Sequence, residues 1–540
     1  MNHARLVYTF LLAATLAIGS FIAPSWASAQ HQGATSDAQT VVVAYNYNPT
    51  SLDPGIAYDG LGPLLFRNCY EQLLRLKGSS TTQYEGELAT RWTSNAAKTI
   101  WTFYLRKGVL FHDGTPFTAD AVRFSIDRTL AINQSPAFIM GQFMTPNDVK
   151  VIDPYTVQFR LKKPAPDLLA AMASQWGNWI VSPAAITAHT VKHDRGQAWL
   201  ANHDAGSGPY MLSRYVPNSS ITMVKFPGYW RGWSGHHINR IVVTFATQEA
   251  TRRSLIERGD ADITLTFSPQ NLRAMAKEPQ LKEDVTPGVL QEVLVPTVAG
   301  PFASPKARLA LAYAFDYDAM NQQFLKGFAI QAQGPVAHGI FGHDFALPIP
   351  HTDLTKARQL FAEAGVKPGT KLTAWYISGD LIAREIALIT QAQLGQLGFN
   401  VQISERDGSA YINAQGESPS AEPVGQRPNL WVSNWFPDYS DPIDVTTPLY
   451  HTRTVSAGAV NMGLYSNHEI DMLLAQAAVT ADRAKQQQMF NRIQDILAWS
   501  DPAAVYISDA SNSYVYRTTL HGFNSNPIYG YTFDFYPMYK

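Results

Sequence analysis

Between Thr99 and Arg128 the apolar spacing changes from every second residue to every fourth, and that switch limits the chain to architectures mixing strand and helix. Trp101, Phe103 and Leu105 alternate as a half-buried strand. Asp113-Gly114 is a turn dipeptide, and Thr118 stands at an N-cap position before Ala119 and Asp120, with the acid where the helix dipole favours it. Val122, Ile126 and Leu130 then supply the apolar stripe of a helix. The same alternation recurs along the chain. Thr40 to Tyr45 reads as the first strand, closed by Pro49, Pro54 and Gly55, and Gly62 to Leu74 has helical spacing. Strands are expected at Ile238 to Phe245 and Leu372 to Ile377, and helices at Gln248 to Arg258, Lys356 to Ala364 and Ala383 to Leu397. A chain of 540 residues exceeds what one core organises, so two lobes are expected. The short apolar segments Val289 to Val295 and Val505 to Ser508 are the expected crossings between them.

Charge and cysteine usage remove several classes. A formal net charge of -1 offers no basic excess for a nucleic-acid partner. Cys69 is the single cysteine, so an intrachain disulfide and a Cys-based metal site are both excluded. At the N-terminus Arg5 leads into an apolar run from Leu6 to Ala23, then Pro24, then Ala27-Ser28-Ala29, which is the order of a secretory signal peptide over residues 1–29, cleaved after Ala29. The alternative is an uncleaved anchor, since the run approaches spanning length. With no cysteine directly following that run, lipid attachment there is not available, and the expected product is soluble and periplasmic.

One stretch concentrates chemistry. Asn434-Trp-Phe-Pro-Asp-Tyr-Ser-Asp-Pro-Ile-Asp444 carries three carboxylates, three aromatic rings and two prolines just after the apolar run Leu430-Trp431-Val432. Prolines at 437 and 442 stiffen a loop at a strand end, where a carboxylate beside aromatic walls suits a positive amine next to an apolar group. The competing reading is a surface turn whose aspartates cap backbone groups. The chain carries no G-x-S-x-G elbow, S-x-x-K, H-E-x-x-H, P-loop or dinucleotide fingerprint. His189 and His193 have the four-residue spacing of two metal ligands on a helix face, but no third ligand stands at matching spacing, so neither metal nor cofactor is expected.

The segments Leu88-Ala-Thr-Arg-Trp92 and Thr99 to Arg128 closely resemble the signature of the extracellular solute-binding protein family 5, the dipeptide- and oligopeptide-binding components of ABC importers. Further matches follow in family order. Gly206-Ser-Gly-Pro-Tyr210 resembles its glycine-rich turn, with Ser207 in place of Thr, and Tyr229-Trp230 resembles the aromatic pair beyond it. Glu257 to Ile263, Lys306 to Asp316, Asp353 to Gly365, Gln393 to Gly398 and Asn461 to Ala477 are similar to later family segments, so the resemblance covers about residues 40 to 540. Two departures stand out. Pro296 lies near where family members commonly carry an Asn, and the polar insert Gln415 to Pro428 is expected to form a loop at the cleft rim.

The resemblance implies an α/β, two-lobed periplasmic binding protein-like fold of type II, cluster C-like, with an extra subdomain in the first lobe. The expected division is 30–60, 206–290 and 508–540 for the first lobe, 61–205 for the subdomain and 291–507 for the second lobe. It implies a non-enzymatic monomer that captures a peptide or other amine-bearing solute between the lobes and delivers it to an ABC permease. In the family's W-x-x-D-Y-x-D-P loop the first aspartate receives the amine, a role that falls on Asp438, flanked by Trp435 and Tyr439, with Asp441 capping the next turn. Arg384 is the candidate for the solute carboxylate, set against a solvated first-turn arginine, and Arg406 is a weaker one. Tyr45 and Tyr47 are candidates for the cleft wall, set against core burial. Gly208, with Gly206 to Tyr210, is a candidate to lend backbone N–H groups to an anion, set against a tight turn at a seam. Two rival functions are compatible with the sequence: the same fold holding a nickel chelate, haem, oligosaccharide or opine, and an exported hydrolase using paired carboxylates.

Overall fold

The computed structural model describes residues 39–407, 410, 411, 414, 427–455 and 460–540; the expected signal peptide and most of the insert after Gln415 lie outside them. Two large sheets carry the molecule. The first has seven strands, in the order Leu281–Val285, Ser513–Arg517, Ile263–Leu265, Thr40–Tyr45, Arg240–Phe245, Ser220–Lys225 and Tyr210–Val216. Its middle is parallel, Val41 to Tyr45 lying beside Ile241 to Phe245, and its flanks are antiparallel. Alternation places Val41, Val43, Tyr45, Ile241 and Val243 in one core, while Ala44 faces the helix Glu249–Arg258 through Ile256.

The second sheet has six strands, in the order Ala329–Gln331, Val505–Ala510, Leu290–Pro296, Leu430–Trp435, Lys371–Ile377 and Asn400–Arg406. It is buried on both faces. Leu294, Leu430 and Val432 pack beneath the helices Pro305–Ala314 and Leu381–Gln396, and Val293, Val295 and Trp431 pack against the helices Pro442–Tyr450, His468–Ala477 and Arg483–Asp495. Between the first strand and Tyr210–Val216 the chain builds a separate four-stranded antiparallel sheet from Ala89–Ser94, Ile100–Leu105, Thr156–Arg160 and Val149–Asp153. Trp101, Phe103 and Leu105 point inward there and meet Val122 and Ile126 of the helix Ala119–Ile132, as their spacing predicts. Thr118 sits at that helix's N-cap, but its side chain makes no capping hydrogen bond.

The two sheets share one antiparallel ribbon. Leu281 to Val285 pair with Ser513 to Arg517 in the first sheet, and the same two chain passes continue as Leu290–Pro296 against Val505–Ala510 in the second. The crossings are therefore the short links at 286–289 and 511–512, tied together by the Thr286 N–H donating to the Asn512 carbonyl at 3.0 Å. Val289 to Val295 and Val505 to Ser508, expected as crossings, are mostly ladder strands of the second sheet, displaced by a few residues from the actual hinge. Apolar patterning does not distinguish the two, since a buried ladder strand and a buried crossing both read as short apolar runs.

Candidate ligand cleft

The loop after Leu430–Trp435 is fixed by its own carboxylates. Asp441 is the N-cap of Pro442–Tyr450, its Oδ1 accepting from the Ile443 N–H at 3.0 Å, while Pro442 occupies the first helical position, where its missing N–H costs nothing. Asp444, in the first turn, accepts the backbone N–H of Asp438 at 2.7 Å. Asp438 is thereby presented at the seam between the lobes with 0% of its surface exposed.

Partners of this loop come largely from the other half of the molecule. The Tyr58 hydroxyl, from the segment after the first strand, donates to Oδ1 of Asp438, and Oδ2 has no partner. The Tyr58 ring lies 5.0 Å from Trp176 and 5.9 Å from Phe138, centroid to centroid. Tyr439 is buried among Ile139, Ala170, Ala171 and Trp176 of the inserted subdomain, its hydroxyl also without a partner. Phe436 approaches Tyr531 at 6.0 Å, and Arg483 of the second lobe reaches Asp167 of the subdomain at 2.9 Å and Asp441 at 3.7 Å. These cross-lobe contacts describe a closed arrangement.

The electrostatics of the seam are lopsided. Asp438, Asp441, Asp444 and Asp167 are all buried, and Arg483, about half exposed, is the guanidinium among them. Burial pushes the Asp438 carboxyl up to about 7, against the opposing hydrogen bond from Tyr58. Asp441 and Asp444 are raised well above the usual carboxylate range, first by burial and then by the charges of Asp167 and Asp438 respectively. Acceptor oxygens without a hydrogen-bond partner on Asp438 and Asp444 accompany this excess. What would complete such a site is a cation bearing several N–H donors.

The remaining candidates fall in different places. Trp435 is half-buried beside Gln291 and Pro437, its indole N–H without a partner. Tyr47 is 39% exposed and packs edge-on against Tyr531 at 5.6 Å, where the lobes meet. Tyr45 is a core residue: its ring is fully buried and its hydroxyl lies against the carbonyls of Gly60 and Tyr531, so it does not line the cleft. Gly208 does not lend its N–H to a ligand, because that group already donates to the Cys69 carbonyl at 3.0 Å. A Cβ at Gly208 would stand 2.7 Å from the Asn68 carbonyl oxygen, so glycine there serves close backbone packing at the seam. Arg384 is exposed on the first turn of Leu381–Gln396, and its charge falls on Glu405 and Tyr376. The Arg406 guanidinium lies 3.9 Å over the Trp375 ring. His189 ends its helix and stacks on Trp199 at 4.4 Å, while His193 lies beyond the helix at φ 65°, so the two do not share a helix face. Among the described residues no group of three or more His, Cys, Asp or Glu side chains is arranged to hold a metal.

Tyr58 and the Asp167–Arg483 pair escaped the sequence reading. Tyr58-Asp59-Gly60 carries no motif, and its role exists only because the chain returns 380 residues later.

Comparison with known proteins gives concordant results. The family described as bacterial extracellular solute-binding proteins, family 5 Middle, matches residues 83–457. The probable D,D-dipeptide-binding periplasmic protein DdpA of Escherichia coli (strain K12) is 29% identical over 506 residues, covering 93% of this chain and 94% of that one. The glutathione-binding protein GsiB of Pectobacterium atrosepticum is 27% identical over 530 residues, 97% of each chain. Among solved structures, the dipeptide-binding protein of Pseudoalteromonas sp. SM9913 in complex with Met-Leu superposes with a TM-score of 0.81 at 22% identity, covering 93% of this chain and 100% of that one, a likeness of fold.

Proposed function

The chain belongs to the bacterial extracellular solute-binding proteins of family 5, and from that premise we propose that it captures short peptides by their free amino group and passes them to an ABC permease. The observation that carries the reading is Asp438: a fully buried carboxylate with one oxygen held by Tyr58 of the opposite lobe and the other open. An ammonium entering there meets a charged acceptor in a water-poor seam, beside the packed rings of Tyr58 and Trp176, with Tyr439 fixing the loop. Because Tyr58 and Asp438 sit on different lobes, a solute bridging them stabilises the closed form, which the permease then reads. The D,D-dipeptide and glutathione relatives bind solutes with the same free-amine chemistry, which supports the choice of ligand. The D,D-dipeptide-binding relative, named as a periplasmic protein, together with the N-terminal signal pattern, supports export. No step breaks a bond.

Calorimetry with dialanine and N-acetyl-dialanine tests the reading, with native mass spectrometry of protein purified from the periplasm to identify retained solute. Dialanine is expected to bind and its acetylated form is not. Asp438→Asn is expected to cost about 2–5 kcal/mol, a loss of more than about tenfold in affinity. Equal binding of the acetylated peptide, or full affinity in Asp438→Asn, overturns it.

A further inference from the structure

A second buried acid stands apart from the Asp438 loop. Glu292 is 1% exposed on the hinge-side strand Leu290–Pro296, and neither of its carboxylate oxygens makes a hydrogen bond of ordinary length and angle, the Asn434 amide acting on them only as a weak donor. Pairing sets it opposite Asn434 on one side and Ser508 on the other, at the place where the ladder with Val505–Ala510 slips register between Glu292 and Val293. Directly opposed residues share a face, so these three side chains converge. Asn434 Nδ2 in turn reaches Asp380 Oδ2 at 3.4 Å, at the N-cap of Leu381–Gln396.

The other lobe closes over this group with two aromatic rings. Tyr531 and Tyr47 meet edge-on, Tyr531 feels the charges of both Asp380 and Glu292, and Tyr47 feels that of Asp380. Tyr531 is held at φ 65°, a left-handed conformation that a bulky side chain adopts only where its surroundings impose it. Around Glu292 the polar company is an amide, a hydroxyl whose oxygen is itself unpaired, and a second acid. Burial and then the charge of Asp380 raise the Glu292 carboxyl well above its ordinary range, while the Asn434 amide acts the other way. Arg384, though close in sequence to Asp380, spends its charge on Glu405 and Tyr376, and the nearby Arg252 is taken up by the carbonyls of Leu265, Ala246, Thr247 and Thr266.

We infer that Glu292, with Asp380 and Asn434, forms a second cation subsite at the hinge end of the cleft, selecting amine-bearing solutes that carry a further ammonium or guanidinium group. The inference rests on the peptide reading above and sharpens it. Asn434, the ladder partner of Glu292, is four residues before Asp438, so its backbone is at most roughly 14 Å from that of Asp438 and Glu292 lies roughly 5 Å beyond it, within reach of a short peptide with a basic side chain. The seam then holds Asp438, Asp441, Asp444, Asp167, Glu292 and Asp380 against Arg483, a balance that favours a dication over a neutral peptide.

The test compares Ala-Lys with Ala-norleucine, which match in length and differ in charge, by calorimetry at pH 7.5. Wild type is expected to bind Ala-Lys at least about tenfold more tightly, a ratio that falls to near one in Glu292→Gln and, should that variant fold poorly, in Asp380→Asn. Equal affinities in wild type, or a lysine preference that survives both substitutions, overturn the subsite while leaving the amine site standing. If neither peptide nor dialanine binds, the peptide reading itself falls, and this inference with it.

Discussion

At Asp438 the chemistry of one carboxyl group sets how binding depends on pH. With the ligand absent the group titrates at about 7, raised by burial, so near neutrality much of it is protonated. An incoming ammonium needs the ionised form and must displace that proton. Dialanine affinity is therefore expected to rise with pH from 5 to about 7, by up to about tenfold per unit, and then to level before the peptide's own amine, with its value near 8, begins to lose its charge. Calorimetry in buffers of differing ionisation enthalpy reads the released proton directly. A flat profile from pH 5 to 7, or a slope retained in Asp438→Asn, contradicts the assignment. The wild-type slope and its loss belong to this residue alone, since Asn keeps the volume and removes only the charge.

Among the elements, the two-strand ribbon is the one on which opening and closing depend. At Gly288, between its two halves, a Cβ would stand 1.9 Å from the Asp509 carbonyl oxygen, which is backbone and yields only if the ribbon spreads. Gly288→Ala is expected to cost about 1–3 kcal/mol and to lower the melting temperature by a few degrees, with weakened peptide binding. Gly395→Ala is the contrasting case. Gly395 lies within Leu381–Gln396 with no heavy atom inside 4 Å of the added Cβ, so that substitution is expected to be neutral or to stabilise by about 0.5–1 kcal/mol. Equal melting shifts for the two would remove the packing argument at the hinge. Elements of this kind were the most legible part of the sequence. Thr40–Tyr45 begins and ends where its apolar run does, and Glu249–Arg258, Leu354–Glu363 and Leu381–Gln396 fall within two residues of their spacing. Local patterning governs those boundaries. Asp441 as an N-cap was legible for the same reason, but Tyr58 above Asp438 and Glu292 opposite Ser508 were not, because each depends on chain segments more than two hundred residues apart.

For the molecule as a whole, the acids at the seam make the empty closed state sensitive to protons. Asp438, Asp441, Asp444 and Glu292 all titrate above the ordinary carboxylate range when the lobes are shut, with burial the leading cause in each. In an open form, where water reaches them, the burial that raises them is relieved. For Asp438 the closed state holds a proton up to about pH 7 that the open one gives up earlier, and the other three acids act in the same direction, so closure without ligand is favoured at the acid end and loses ground as pH rises. A cationic peptide supplies at neutral pH the positive charge that protons supply at pH 5. Small-angle scattering of the ligand-free protein is expected to show a smaller radius of gyration at pH 5 than at pH 7.5, with peptide restoring the compact value at pH 7.5. In Asp438→Asn/Asp444→Asn the pH dependence should shrink, because two of the groups that drive it no longer titrate. A ligand-free protein equally compact at both pH values, or one that expands toward pH 5, shows that the lobes are held together by their neutral contacts, Tyr439 on Trp176 and Phe436 on Tyr531, and that the acids play no part in the opening.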